Sequence, residues 1–385
     1  MMRFFALVAI LLCIIPAVSY ADADGSDPKE SAVASDLPVE AIPDLSEDNT
    51  KSKFLKKIPK NLLLVPIPMS SPTFGTGLIL GGAYFYPQTE EQENAQPASF
   101  TGAAGGYTSN QSWFAGVVQQ NYWKEDTWRF TGVAAYLDFK FDLIPPDVEE
   151  ITQKSVDWLV NGSFFQGRIS RKLWGNWYLG LSARYLDITQ AIQLEIEEEE
   201  INFGSNIKAP GLGIHLDFDS RDLPTNAFQG RFFEFKAIAS NQSNAEDDSY
   251  QSYHARYRSY HLLSDPLVLA WEINACARGG QVPLWDTCRL GLRGFPATDY
   301  LGKKSVYAQA ELRWRFYKRW GLVGFAGAGR MNDTLGKYGE DETIPSYGVG
   351  IRFMVLESQR INVRVDYARS DKGNEAWYLS VTEAF

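Results

Sequence analysis

The segment Val306–Phe316 constrains the fold more than any other part of the chain, because its residues alternate between two chemical classes. Five apolar side chains share one face of the predicted strand: Ala308, Ala310, Leu312, Trp314 and Phe316. Four polar or charged side chains share the other face: Gln309, Glu311, Arg313 and Arg315. A period of two is typical of a β-strand that separates two environments. The charged face is too polar for a packed core, so we expect lipid outside and a water-filled lumen inside.

Residues 1–21 have the three-part pattern of a secretory signal peptide. Met1–Arg3 is a short positive start, Phe4–Val18 is apolar, and Ser19-Tyr20-Ala21 carries small residues where signal peptidase reads them. We expect cleavage after Ala21. A transmembrane anchor is the alternative, but the apolar stretch is short and no stop-transfer flank follows it.

Residues 22–60 form a leader whose charge changes sign along its length. Asp22–Thr50 is acidic and rich in Ser, Pro and Ala, which predicts disorder. Lys51–Lys60 is basic, and we interpret it as a contact with phosphate headgroups at the periplasmic rim. A solvated segment is the alternative interpretation. The leader is too short for an independent domain of typical size.

Residues 61–385 follow a single pattern of alternating runs separated by turn residues. Sixteen runs can be read, from a faint one at Asn61–Ile67 to Glu375–Phe385, and an even number lets a bacterial single-chain barrel close. No segment after residue 21 resembles a membrane-spanning helix, which needs about 20 apolar residues. The sequence therefore predicts an all-β, transmembrane antiparallel β-barrel of 16 strands. A soluble secreted β-sandwich is the remaining alternative.

Short and long connections alternate between these runs, and periplasmic turns are the short ones in such barrels. This parity puts Phe385 at the periplasmic rim and the loop around Arg293 on the extracellular side. A long acidic turn at Pro87–Pro97 breaks the rule. Glu383 interrupts the apolar face of the last run, where we expect the bilayer edge to tolerate it. The predicted long connections are Lys140–Asn161, Thr189–Pro210, Gly279–Lys304 and Met331–Ser346.

Two cysteines, Cys276 and Cys288, remain once the signal peptide with Cys13 is removed. They lie close in sequence, and export takes them to an oxidising compartment, so a disulfide is expected. Two separate thiols are the alternative, because sequence spacing does not show that the Cα atoms are close enough.

Four groups of short motifs occur in order along the second half of the chain. They are Asp219-Ser220-Arg221-Asp222-Leu223-Pro224 followed by Gly230; Leu292-Arg293-Gly294-Phe295; Glu311-Leu312-Arg313 with Phe325-Ala326-Gly327-Ala328-Gly329; and Gly348–Arg352 with Arg364–Ala368 and Phe385. They resemble, in turn, the D-x-R-D-x-P turn, the V/I-R-G-F/Y loop, the E-L-R and F-x-D-x-G strand pair and the closing strands of the BamA/TamA-like outer-membrane assembly superfamily, also called the bacterial surface antigen family. The match is good over the C-terminal half and weak over the N-terminal half.

The resemblance implies a loop between strands 11 and 12 that folds into the lumen. Arg293 would there pair with a carboxylate, for which Glu311 is the first candidate. Gly294 would allow a tight turn, and Phe295 would anchor the loop by apolar contact. A plain exposed loop is the alternative. Phe385 would act as the assembly signal of the last strand.

Two departures from the superfamily pattern stand out. Asp22–Lys60 cannot hold a POTRA domain, so the chain resembles a short, barrel-only subgroup. Gly327 stands where the family has an acidic residue, which would deprive Arg293 of one partner. Asp333 and Asp366 are the lumen-side candidates to replace it.

The resemblance implies a barrel that assists the insertion of membrane proteins or lipid, with weak closure between its first and last strands. Pro66 and Pro68 fit a poor first strand, because proline cannot donate to a ladder. The alternative is a passive pore or structural barrel. Lumenal charges would then tune permeation: Arg313, Arg315, Arg364 and Asp366.

A barrel hydrolase is a third hypothesis, which we disfavour. His215 alternates with Asp217 and Asp219, a pattern that could orient an imidazole. No G-x-S-x-G, P-loop or H-E-x-x-H motif accompanies it, and a polar ladder in the lumen accounts for the same residues. The sequence has no Cys/His cluster at metal-ligand spacing. We therefore expect neither enzyme activity nor a metal or other cofactor.

The expected location is the outer membrane of a Gram-negative bacterium. The expected partners are outer-membrane lipids and lipopolysaccharide and, during biogenesis, the barrel-assembly machinery of the cell. A net charge of −10 argues against nucleic acid. The sequence does not identify client proteins.

Deletion of Phe385 is expected to impair assembly more than deletion of any residue within Asp22–Thr50. The reason is that Phe385 ends the last predicted strand, whereas the leader is predicted to be disordered. The amount of each variant in the outer membrane measures the effect, and equal amounts would contradict the prediction.

Overall fold

The computed structural model describes residues 62–143, 156–196, 199–243, 249–334, 342–357, 360–370 and 374–385. The predicted signal peptide, the acidic leader and the Lys51–Lys60 patch lie outside these ranges. None of the helices within them is both long enough and apolar enough to cross a bilayer.

The described residues form one antiparallel sheet of seventeen strands, with a short helix α1 (Glu90–Ala95) and a 3₁₀ turn (Leu284–Asp286). The strands are β1 (Leu62–Ser71), β2 (Gly75–Phe85), β3 (Phe100–Thr108), β4 (Trp113–Trp123), β5 (Trp128–Leu143), β6 (Val156–Trp174), β7 (Trp177–Ile196), β8 (Glu199–Asp219), β9 (Gly230–Asn241), β10 (Ser249–Ser264), β11 (Leu267–Gly280), β12 (Cys288–Arg289), β13 (Leu301–Tyr317), β14 (Trp320–Thr334), β15 (Ile344–Leu356), β16 (Ile361–Ser370) and β17 (Glu375–Val381).

Sixteen of these strands close into a barrel, and the seventeenth is a small addition inside a loop. Each long strand pairs with its neighbours in sequence, and β1 returns to β17 to close the ring. Because β11 pairs directly with β13, the two-residue strand β12 lies outside the ring and pairs only with the start of β13. The predicted 16-stranded barrel is confirmed, and the β-sandwich alternative is wrong.

The alternation of each strand separates an outer from an inner surface. On β13, Leu312 and Trp314 are 45% and 50% exposed on the outside, whereas Glu311 and Arg313 are buried on the inside. Large exposed apolar side chains recur on the outer face of strands all around the barrel. A lipid-facing surface has this composition.

The inner surface differs from the expected water-filled lumen over half of the ring. The inward side chains of β1–β8 are largely apolar and pack into one buried cluster, which includes Ile79, Phe114, Leu137, Trp158 and Phe164. Packing removes these groups from water, and complete burial of a large apolar side chain contributes about 1.5–3 kcal/mol. The expectation of a water-filled lumen is therefore wrong for this half, and charged side chains concentrate on the other.

Two of the predicted long connections are shorter than expected, because the strands continue. The ladder between β7 and β8 runs through Gln190↔Ser205 and Ile192↔Phe203 to Ile196↔Glu199, inside the predicted Thr189–Pro210 connection. Backbone groups there find partners in the ladder, which removes the need for a loop conformation. In the same way β5 reaches Leu143 and β6 begins at Val156.

The irregular Pro87–Pro97 turn contains α1. Thr89 caps this helix through its side chain and forms a capping box with Gln92. A capping box satisfies two of the orphan backbone N–H groups at a helix start, which gives this long turn a defined structure.

A closed barrel of this kind is expected to be heat-modifiable. Unheated protein in dodecyl sulfate should migrate faster than boiled protein on a semi-native gel, because continuous ladders resist the detergent until they are melted. Identical migration of the two samples, or recovery of the protein in the soluble periplasm, would contradict the fold.

Candidate functional site

The connection between β11 and β13, residues 281–300, folds into the barrel. Leu290, Leu292, Phe295 and Tyr300 are buried and pack with inward side chains of β13, β14 and β15. This is the loop that the resemblance predicts, between the eleventh and twelfth strands of the ring. Its packing inside the barrel makes it the candidate functional site.

Glycines on both sides of the contact allow the loop backbone to approach the wall. A Cβ on Gly327 would lie 2.7 Å from the Ala308 carbonyl oxygen and 3.0 Å from Leu292 Cδ2. Gly327 thus leaves space that Leu292 fills. Gly294 has a φ of +113°, and a Cβ there would lie 3.0 Å from the backbone of Arg369. A larger residue at either position would push the loop away from the wall.

The tip of the loop is fixed by one apolar contact and one hydrogen bond. Phe295 is 1% exposed, and its ring packs edge-on against Tyr300 with the centroids 4.5 Å apart. The Gly294 backbone N–H donates to the Tyr378 hydroxyl of β17 at 2.9 Å. The loop therefore contacts the last strand as well as β13.

Arg293 is buried in the lumen between two carboxylates. Its guanidinium donates to Glu311 Oε1 of β13 at 2.5 Å and to Asp366 Oδ2 of β16 at 2.8 Å. The same group lies 3.4 Å from the centre of the Phe325 ring of β14. Arg293 thus lies beside Glu311, the first candidate from the sequence, and it also bridges to a second carboxylate, Asp366. Asp366 supplies the second carboxylate, in place of the acid that the family has at the position of Gly327. The Asp333 side chain is not among those that the structure describes.

Arg293 belongs to a network of four arginines and three carboxylates. Glu311 also accepts from Arg313 at 2.9 Å, and Asp366 accepts from Arg352 at 2.5 Å and Arg364 at 2.6 Å. Apart from Arg293 of the loop, the side chains named here face inward from β13, β15 and β16. Buried charges need such partners, because an unpaired one would lose its hydration without compensation.

Glu383 is the third carboxylate of this network, which corrects its expected place at the bilayer edge. It accepts from Arg352 Nε at 2.8 Å and from the Asn362 amide at 2.6 Å, and its side chain is 3% exposed. Burial opposes ionisation of Glu383, but the guanidinium groups of Arg352 and Arg313 outweigh it and lower the pKa of the carboxyl to about 2. Neither Arg352 nor Glu383 was predicted as a network member, although Arg352 lies on the inward face of an alternating run.

A second anchor holds the start of the loop. Asp286 is completely buried. Its carboxylate pairs with Arg184 at 2.8 Å and with Arg278 at 3.3 Å, and it accepts a hydrogen bond from the Tyr250 hydroxyl at 2.9 Å. Burial alone would raise the pKa of Asp286, but the two arginines hold it below its usual range. Cys276 of β11 and Cys288 of β12 are joined by a disulfide with Cα atoms 5.8 Å apart. The loop is thus tied at its start and at its tip.

The motif at the β8–β9 connection lies at the end of the barrel opposite the β11–β13 connection. Asp219 binds Arg221 at 2.7 Å, and the Pro224 carbonyl accepts from the same guanidinium at 3.3 Å. Asp222 accepts from Arg360, in the β15–β16 turn, at 2.6 Å. Gly230 has a φ of +104°, and a Cβ there would lie 2.2 Å from the Ser220 carbonyl oxygen. These residues connect two turns that are distant in sequence and lie at the same end of the barrel.

Phe385 is 8% exposed and packs with Ala227, Tyr260 and Ala270 at the same end of the barrel as the β8–β9 connection. Its backbone oxygen accepts from Arg313 at 2.8 Å. The last residue is therefore joined to the charge network through Arg313, a contact that sequence analysis did not predict.

His215 is completely buried, and two serines hold its ring. Nε2 lies 2.7 Å from Ser170 Oγ and Nδ1 lies 2.8 Å from Ser182 Oγ, whereas Asp217 is 3.9 Å from Nε2. The interpretation that Asp217 orients the imidazole is wrong, since the serines do so. A ring without an exposed face has no access to a substrate. Among the described residues, no group of three or more metal-ligating side chains could hold a metal ion.

No protein-family model and no curated protein matches the chain. Solved structures do match. BamA from Haemophilus ducreyi lacking POTRA domains 1–3 has a TM-score of 0.56 and 13% identity, over 84% of this chain and 70% of that one. The chain shares the barrel fold of this BamA structure.

Two CdiB structures give the same result. CdiB from Acinetobacter baumannii has a TM-score of 0.53 at 11% identity and covers 84% of this chain. CdiB from Escherichia coli has a TM-score of 0.54 at 10% identity and covers 85%. The chain spans 60% and 64% of the lengths of these two proteins. At such identities the likeness shows the barrel fold alone.

The charge network predicts an order of destabilisation. Asp366→Asn deprives three arginines of a carboxylate and should cost about 3–5 kcal/mol, because it leaves buried charge uncompensated. Glu311→Gln affects two arginines and should cost less. Arg293→Gln should cost least, since both carboxylates keep another arginine. The urea midpoint of the folded band on semi-native gels measures each change.

Glu357→Gln is the matched control for these variants. Its carboxylate pairs with Arg319 at 2.5 Å, but both side chains are at least half exposed. Solvated pairs of this kind contribute little, so its midpoint should stay close to that of the wild type. A midpoint for Asp366→Asn equal to that of the control would refute the network's contribution.

Proposed function

We propose that the chain is an integral outer-membrane barrel of a Gram-negative bacterium that assists the insertion of membrane proteins or lipid. Insertion takes place where the first and last strands meet. Residues 1–21 are the export signal, and the mature chain contacts outer-membrane lipid and lipopolysaccharide. The barrel-assembly machinery of the cell inserts the chain itself during biogenesis.

The observation that carries this proposal is the weak seam between β1 and β17. In the described ranges β1 registers with β17 at one residue pair, Ser70↔Leu379. The same strand registers with β2 at ten pairs, and β17 registers with β16 at seven. Each backbone hydrogen bond contributes about 0.5–1.5 kcal/mol net. Separating β1 from β17 therefore needs far less free energy than separating β1 from β2 or β17 from β16.

The residues of β1 support the same conclusion. Pro66 and Pro68 register with Leu80 and Leu78 of β2, and they lack the N–H that a ladder needs. Both prolines are exposed on the outer face. A strand that carries them is poorly suited to a second continuous ladder, which keeps the edge available to another strand.

The rest of the ring is reinforced from inside. In the loop, Arg293 pairs with carboxylates of β13 and β16, and the Gly294 N–H donates to β17. These contacts link the last strands into one connected block. Separation at the seam therefore leaves the block intact. The packing of the loop inside the lumen also argues against the alternative of a passive pore.

Disulfide crosslinking across the seam tests the proposal. In the variant Ser70→Cys/Leu379→Cys, oxidation joins β1 to β17, and insertion of a test barrel into liposomes should fall to the spontaneous rate. The same variant alkylated before oxidation should remain active. Alkylation leaves the native Cys276–Cys288 disulfide intact, so the two samples differ only at the seam.

The matched control is Ser70→Cys/Thr76→Cys, which crosslinks the β1–β2 hairpin through the register pair Ser70↔Thr76. Oxidation of this variant should leave insertion unchanged. Full activity of the seam-locked protein would contradict the proposal. Ion conductance in planar bilayers without any stimulated insertion would favour the passive pore.

A further inference from the structure

A cavity of about 450 Å³ lies inside the barrel, between the loop and the periplasmic end. Small-molecule sites usually occupy about 300–1,000 Å³, so this one has the size of a ligand site. The insertion proposal assigns no role to its interior.

One wall of the cavity is apolar. It is formed by inward side chains of β1, β2, β5 and β9 and of the turn after β1: Ile67, Met69, Phe74, Ile79, Val133 and Ile238. The lumen of a barrel that only held water would be lined with polar groups. This wall offers a surface for a hydrocarbon chain.

A second wall of the cavity carries excess positive charge. Eight basic and four acidic side chains line the cavity. Ion-pair partners behind the wall are Asp217, Glu311, Asp366, Arg313 and Arg352. With these included there are ten basic and seven acidic groups, so an excess of three positive charges remains.

Some hydrogen-bonding capacity of this wall is unused. The Nε atoms of Arg168, Arg184 and Arg256 are buried and have no hydrogen-bond partner in the part of the chain that the structure describes, and Arg256 Nε lies 3.9 Å from the Glu272 carboxylate. The Arg184 side chain is 4% exposed. A buried donor without an acceptor is costly, and an anion in the cavity would supply the acceptors.

We propose that the cavity binds an amphiphile with one acyl chain and an anionic head group. The chain lies against Ile67, Ile79 and Val133, and the carboxylate or phosphate lies against Arg184 and Arg256. Ser70 and Leu379, the residues of the seam, also line the cavity, so an open seam would connect it with the bilayer. Binding of the amphiphile is measured at equilibrium, so the result does not depend on whether the chain inserts membrane proteins.

Photo-crosslinking tests this proposal. Neighbouring residues of one strand face the lumen and the lipid in turn, so the labelled residue shows where the probe lies. The full chain is placed in phosphatidylcholine nanodiscs with palmitate or lysophosphatidate that carries a diazirine in the tail. Labels should appear on Ile67 and Ile79, which are each 1% exposed, and unlabelled probe should compete for them. Labels confined to the outward Leu64, Leu78 and Leu80 would overturn the proposal.

Two probes and two variants define the head group. Palmitate and lysophosphatidate separate carboxylate from phosphate, and a monoacylglycerol with the same tail is the neutral control. Arg256→Gln should weaken binding about tenfold, the equivalent of one charge-assisted hydrogen bond. Arg256→Lys should restore most of the loss. Glu272 keeps Arg258 at 2.6 Å in both variants, so the wall stays paired.

The control variant is Arg315→Gln, which removes the same charge from a residue that is paired with exposed Asp265. Its binding should equal that of the wild type. Equal lumenal labelling by the neutral probe, or an equal loss in Arg256→Gln and Arg315→Gln, would overturn recognition of the anionic head.

Discussion

The bridge from Arg293 to Glu311 and Asp366 is the interaction on which the rest of the interior depends. It joins the loop inside the barrel to two strands of the wall. Because both acids have further arginine partners, the loop becomes part of a network that extends to Glu383. Arginine suits this position, since its planar fork can serve two carboxylates at once. The loop thus lies inside the lumen and links the last strands to one another.

The barrel has two unlike halves. The first strands fill the interior with apolar packing, and the last strands fill it with paired charge. The seam lies where these halves meet, at Ser70 and Leu379. At the seam, a continuous hydrogen-bonded ladder supports neither the apolar packing of the first strands nor the ion pairs of the last strands. A sparsely paired edge beside strands linked by ion pairs, with an amphipathic cavity behind it, is the arrangement on which the insertion proposal rests.

Much of the fold could be predicted because a strand period of two is local information. The same holds for Arg293 and Glu311, which the motifs and the inward face of Val306–Phe316 identify together. The choice between Asp333 and Asp366 could not be made, because it depends on which strand the loop reaches. The apolar interior was missed because Leu78, Ile79 and Leu80 are apolar on both faces, so alternation carries no signal there. Glu383 was misplaced because its partner Arg352 lies on a strand distant in sequence.

Thiol accessibility tests the central claim most directly, namely that the loop lies fixed inside the barrel. Leu292→Cys keeps every charge of the network, and Leu292 is completely buried beside Gly327. Gln281→Cys is the reference, because Gln281 is exposed at the start of the loop. A bulky, impermeant maleimide applied to the folded protein in nanodiscs should label Gln281→Cys at once and Leu292→Cys only after denaturation. Equal labelling of both folded variants would show that the loop lies outside and would contradict the account.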